Sequence, residues 1–141
     1  MANKIWRCII LAAILLSCKA HNNDSTLEKF DSIIAKSDRI LFQFNGDRSF
    51  DKKPTAVFIN KASVINEFRT LLQQSSASSN CAGHDGTITF FTGLQQNGYL
   101  EFSSNAFCPA LFLHFANTIT EYTMTANCGI FLATIRAGEK L

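Results

Sequence analysis

From Ser25 onward the apolar positions recur first at helical spacing and then in alternation. Leu27, Phe30 and Ile33 or Ile34 share one helical face, and Ser25-Thr26-Leu27-Glu28 has the form of a capping box, so the pattern predicts a helix near residues 25–36. Between Arg39 and Asn45 the period shortens to two, with Ile40, Phe42 and Phe44 on one side; Thr55 to Asn60 is a second β-rich run holding Val57, Phe58 and Ile59. Asn45-Gly46-Asp47 and Lys52-Lys53-Pro54 supply turn and edge chemistry between them, so the two runs read as a hairpin with a long polar loop. Val64, Phe68, Leu71 and Leu72 return to helical spacing and predict a second helix near residues 61–73. Ser75-Ser76-Ala77-Ser78-Ser79-Asn80 then reads as a flexible connector, too polar to pack.

The second half alternates throughout. Ile88 and Phe90 mark one strand between Thr87 and Thr92, and Leu100 and Phe102 mark the next between Tyr99 and Ser103. Gln96-Asn97-Gly98 is the hairpin turn expected between them, because asparagine and glycine tolerate positive φ. Two further strands, Ala110 to Ala116 and Ile119 to Ala126, flank Asn117-Thr118. Asn127 is placed to cap a last helix carrying Ile130, Phe131, Leu132 and Ile135 and ending near Gly138. The sum is an α+β fold: a mainly antiparallel sheet, hairpin plus four-stranded meander, with two or three helices packed on one face. Thirteen phenylalanines, all beyond residue 17, are enough to fill one core, so residues 25–141 are read as a single globular domain.

The first eighteen residues follow a different grammar. Lys4 and Arg7 precede an apolar run from Ile9 to Leu16, and Leu15-Leu16-Ser17-Cys18 resembles the lipobox of bacterial lipoproteins. The resemblance implies that residues 1–17 are a signal peptide and that Cys18 becomes the acylated amino terminus, with residues 18–24 as a tether. Counted from Cys8 to Leu16 the apolar run covers nine residues, where a spanning helix needs ~20. Three acyl chains on one cysteine suffice for stable anchoring. The address implied is the bacterial cell envelope, facing periplasm or exterior, and Lys19 resembles the residue after the cysteine in lipoproteins sent to the outer rather than the inner membrane.

Charge narrows the partners. Without Lys4 and Arg7 the remaining eleven Lys and Arg balance eleven Asp and Glu. Lys52-Lys53 is the one adjacent basic pair, and no aromatic residues interleave with a basic stripe, so nucleic acid is not an expected partner. The expected partners are the membrane, through acylated Cys18, and a protein.

Removing Cys8 with the signal and committing Cys18 to lipid leaves Cys81, Cys108 and Cys128 for an oxidising compartment. Cys81 and Cys108 fall at the open end of the predicted Thr87/Tyr99 hairpin, where a disulfide would close a 28-residue loop and contribute on the order of 3 kcal/mol. Cys108 with Cys128 is the alternative pairing. In the first case Cys128 is a buried small hydrophobe. Cys81-Ala82-Gly83-His84 also spaces a C-x-x-H pair that, with Cys108 and Cys128, could hold zinc; that site needs thiolates, and an oxidising envelope favours the disulfide. No cofactor or metal is therefore expected.

Catalytic patterns are weak. His84 and Asp85 are adjacent and point to opposite sides of an extended chain, His114 lies in a strand, and Glu101 and Glu121 are out of phase with the apolar residues beside them, which suggests a solvent face. The expected function is that of a lipid-anchored, non-catalytic protein-binding module, of the immunity or inhibitor type. The alternatives are a structural or assembly lipoprotein of the envelope, and a small enzyme using Cys128 with His84 or His114. The binding reading predicts exposed anchors on one face, around Phe50, Tyr99 or the Asn45–Lys53 loop.

Overall fold

Helix α1 (Ser25–Lys36) buries Phe30 and Ile34, the two positions its amphipathic pattern points inward. Strands β1 (Arg39–Phe44) and β2 (Thr55–Ile59) follow, then helix α2 (Ala62–Gln73), which buries Val64, Ile65, Phe68 and Leu72. A two-residue strand β3 (Ser76–Ala77) precedes β4 (Gly86–Thr92), β5 (Gln95–Ser103), β6 (Ala110–Phe115) and β7 (Thr118–Thr123), and helix α3 (Ala126–Ala137) ends the fold. The structure is a computed structural model that describes residues 25–46, 55–77, 81 and 83–138. Cys18, the signal and tether read at residues 1–24, Phe50 and Lys52-Lys53 lie outside the described residues. Among the described residues no helix is long and apolar enough to cross a membrane.

All seven strands join one antiparallel sheet in the order β2-β1-β4-β5-β6-β7-β3. The predicted hairpin and the predicted meander are thus a single surface, sewn together where Ile40, Phe42 and Phe44 of β1 align with Phe90, Ile88 and Gly86 of β4. Alternation puts these residues, with Leu100, Phe102, Leu111, Leu113 and Tyr122, on the side that the three helices cover. Phe68 is the hub: fully buried, its ring lies 5.7 Å from Phe42, 6.2 Å from Phe90 and 5.7 Å from Phe131. Helices α1 and α2 are clamped by Arg69, whose Nε and Nη2 donate to the two Asp31 oxygens at 2.6 Å each, while Gln73 donates to the same carboxylate.

The Arg69 hydrogen bonds hold the Asp31 carboxyl below its ordinary value of 3.8. A carboxyl depressed in the folded state adds stability above its unfolded pKa and loses it as pH falls through the lower, folded value. Solvent reaches both partners, which limits the contribution to about 1 kcal/mol. Asp31→Asn is therefore expected to be less stable than wild type by about that amount at pH 7, with the gap steady down to near pH 4 and closing below it. Urea titrations of the two proteins across that range check this, and a gap that widens on acidification would refute it.

Four local expectations are corrected. The β4–β5 turn is Gly93-Leu94, with Thr92 facing Gln95, and Gly93 takes the positive φ of 59° that a tight primed turn needs at its first position. Asn97-Gly98 lies instead inside β5, at a register shift opposite Phe90 and Phe91. Asn97 Nδ2 donates to Thr92 Oγ1 at 2.6 Å, and a Cβ at Gly98 would stand 3.4 Å from the Ile33 side chain, so the pair is used to bring α1 close to the sheet. Ser76 and Ala77, read as connector, pair with Thr123 and Tyr122 because the outer edge of β7 offers backbone partners that need no apolar side chain. The β6–β7 turn is Ala116-Asn117 rather than Asn117-Thr118, with β7 running from Thr118 to Thr123. Thr125, not Asn127, caps α3, its hydroxyl accepting from Cys128 N at 3.2 Å.

Ala116 sits at φ 53°, a left-handed conformation that costs a residue with a Cβ roughly 1–2 kcal/mol. Ala116→Gly relieves that strain and gives part of it back as unfolded-chain entropy, so a net gain of about 0.5–1 kcal/mol is expected. A shift of the urea midpoint to lower concentration would contradict it.

Candidate functional site

The sheet face opposite the helices carries the phase of each strand that alternates with the core residues. On β5 that phase is Tyr99 and Glu101, between the core residues Leu100 and Phe102; on β6 it is Phe112 and His114; on β7 it includes Ile119 and Glu121. Register makes Glu101, Phe112 and Glu121 direct neighbours across three strands. The expected solvent-face placement of both glutamates is what the strands present. Ile119 (64 % exposed) and Phe58 (55 %) stand out on the same side, and Phe58 lies 5.9 Å from the ring of Phe91.

Four side chains here form a connected chain. His114 Nε2 lies 2.7 Å from Glu101 Oε2, and the Tyr99 hydroxyl lies 3.3 Å from His114 Nδ1 while the two rings stack at 4.7 Å. On the other side His84 Nδ1 approaches the same Glu101 oxygen at 3.4 Å. Glu101 Oε2 is shared between two imidazoles.

His84 reaches this position because the segment ahead of β4 is strapped over the sheet. Cys81 and Cys108 are at disulfide distance, with Cα atoms 5.6 Å apart, as favoured from their spacing. Cys81 N donates to Glu121 Oε1 at 2.7 Å. Asp85 N donates to Phe102 O, Asn45 N to Asp85 O, and Asp85 Oδ2 accepts from the Ser104 backbone at 2.6 Å and hydroxyl at 2.9 Å. Asn45 Nδ2 adds a bond to His84 O. Thus fixed, the strap lays the His84 ring 4.9 Å from that of Phe112, leaving Phe112 only 6 % exposed on an otherwise open face.

Cys128 is elsewhere. It is fully buried on the helix side of the sheet, unpaired, and desolvation pushes its thiol up to about 12, so it stays protonated at neutral pH. The structure does not bring it to His84 or His114, which face the other side, and it does not gather with Cys81, His84 and Cys108; among the described residues no such group is arranged to hold a metal.

Sequence reasoning named Tyr99, His84, His114 and Glu101 one at a time and missed that they touch. The available signal was phase: Tyr99 and Glu101 are two apart on a strand, and His114 lies out of phase with Leu113. Phe112 was missed altogether, because a phenylalanine among Leu111 and Leu113 reads as core. Comparisons with protein-family models, curated proteins and solved structures find no match to this chain.

Proposed function

We propose that this chain is a lipid-anchored envelope protein that works by docking another protein on the open face of its sheet, without catalysis. The observation that carries the reading is the contrast between the two faces: one is sealed by three helices, the other presents an ordered set of aromatic, imidazole and carboxylate groups ringed by exposed Phe58 and Ile119. Such a mixture suits an interface, where a few aromatic anchors sit among polar groups. Within the chain Tyr99–His114–Glu101 the carboxylate that would orient His114 for proton transfer is shared with His84, an arrangement suited to holding side chains in place.

The lipobox-like Leu15-Leu16-Ser17-Cys18 supports the anchor, and the Cys81/Cys108 pair suits an oxidising compartment. A seven-residue tether from Cys18 to Asp24 spans at most about 25 Å and joins the fold at α1, in the helix layer. The open face then lies on the side of the sheet away from the helix to which the tether connects.

Photoreactive residues at Ile119 on the open face and at Ile130 on α3 test the reading in cells, since the two are similarly exposed, at 64 % and 66 %. An adduct of one discrete mass from position 119 alone is expected. Equal labelling from both positions, or none from 119, would refute it. The anchor has its own readout: palmitate incorporation is expected in the wild type and lost in Cys18→Ala.

A further inference from the structure

We propose that the His84 imidazole fills, in the free chain, a seat built for a guanidinium, so that the open face recognises an arginine side chain of its partner; this rests on the docking reading above. The seat is the ring of Phe112 with a carboxylate on each side, Glu101 on β5 and Glu121 on β7, each its direct cross-strand neighbour. The His84 ring packs against that ring at 4.9 Å, tilted by 58°, and turns Nδ1 toward Glu101 Oε2 at 3.4 Å. A planar nitrogen-bearing group against an aromatic ring and beside a carboxylate occupies the place that arginine would fill with a full charge and five donors.

The seat is preset and its present occupant is replaceable. Glu101 is held by His114 at 2.7 Å, and His114 in turn is stacked on Tyr99, so the carboxylate does not need to be ordered on binding. The His84 side chain, by contrast, is 52 % exposed, and its contact to Glu101 is the longer of the two. Swinging out uncovers Phe112, whose 6 % exposure on this open face depends on the strap.

Charge selects the same occupant. The described lysines, Lys29, Lys36 and Lys61, belong to α1 or to the start of α2, on the helix side. On the open face Arg39 is the sole described lysine or arginine, and it is paired with Asp38 at 3.4 Å. Among the described residues no lysine or arginine pairs with Glu101 or Glu121, and their field attracts a cation. Arginine is favoured over lysine because a planar guanidinium stacks on Phe112 while donating sideways to Glu101.

The test uses the full-length chain in neutral detergent and three blocked tripeptides, Gly-Arg-Gly, Gly-Lys-Gly and Gly-Gln-Gly, followed by amide NMR shifts. Saturable shifts at Glu101, Phe112 and Glu121 are expected for the arginine peptide, weaker ones for lysine and none for glutamine. His84→Ala vacates the seat and is expected to tighten the arginine peptide about fivefold or more, whereas Glu101→Gln weakens it at least tenfold. His84→Arg fills the seat from within and is expected to abolish probe binding with the remaining amide spectrum intact. Unchanged or weaker binding in His84→Ala, or equal binding by wild type and Glu101→Gln, would overturn the proposal. If the Ile119 adduct persists while the arginine probe fails, the seat is wrong and the docking reading stands; loss of the adduct itself removes the docking reading.

Discussion

Phe68→Ala is expected to lose about 4 kcal/mol of unfolding free energy, the largest single effect in this fold. The side chain is fully buried among other rings: Phe42, Phe90 and Phe131 all lie within 6.2 Å of it, and they belong to β1, β4 and α3. Truncation removes the transfer energy of a benzyl group and also leaves a hole walled by three elements that cannot close together, since each is fixed by its own hydrogen bonds. Against a typical stability of roughly 5–15 kcal/mol this is a large share. Urea unfolding should show the midpoint falling steeply in Phe68→Ala and only modestly in Phe68→Leu, which keeps most of the volume. A loss below about 1.5 kcal/mol would mean the site collapses freely and the hub is not a hub.

Replacing Cys81 and Cys108 together by serine is expected to cost about 3.5 kcal/mol, on the order of a 10–15 °C fall in midpoint, because the link spans 27 positions and its removal frees that loop in the unfolded chain. The consequence is local as well as global. Without the link the strap keeps the Asp85 bonds to Phe102 and Ser104 but loses the restraint beside the Cys81–Glu121 contact, so His84 should leave Phe112. Hydrogen exchange at residues 83–85 is expected to quicken under conditions where the core of β4 stays protected. Mild reduction of the wild type should reproduce both effects; a thermal midpoint indifferent to reductant would argue that Cys81 and Cys108 are not joined.

The elements with the longest uninterrupted periods were the ones readable from the chain. Helices α1 and α2 begin and end within a residue of where Leu27, Phe30, Val64 and Phe68 place them, and β1 and β2 follow the alternation of Ile40, Phe42 and Val57 closely. Misreadings cluster where two local solutions compete. Gly93-Leu94 and Asn97-Gly98 can each turn a hairpin; the second is withheld from turning because Ile33 packs against Gly98 and Asn97 bonds back to Thr92. Neither contact is visible from within β5. The strand at Ser76–Ala77 has no apolar period at all and exists because β7 lies beside it.

The same division runs through the site. By itself the amino-acid sequence determined which side chains share a phase: Tyr99 with Glu101, apart from Leu100, and His114 apart from Leu113, since alternation is a property of neighbouring residues in one strand. Tertiary structure alone decided that Glu101 and Glu121 bracket Phe112 and that His84 lies over it, because register and the strap depend on pairings between segments far apart in the chain. A one-residue slip of β6 would leave its own alternation intact as a pattern while turning Phe112 and His114 toward the helices, and it is the packing of Leu111 and Leu113 against the helix-side core that forbids it.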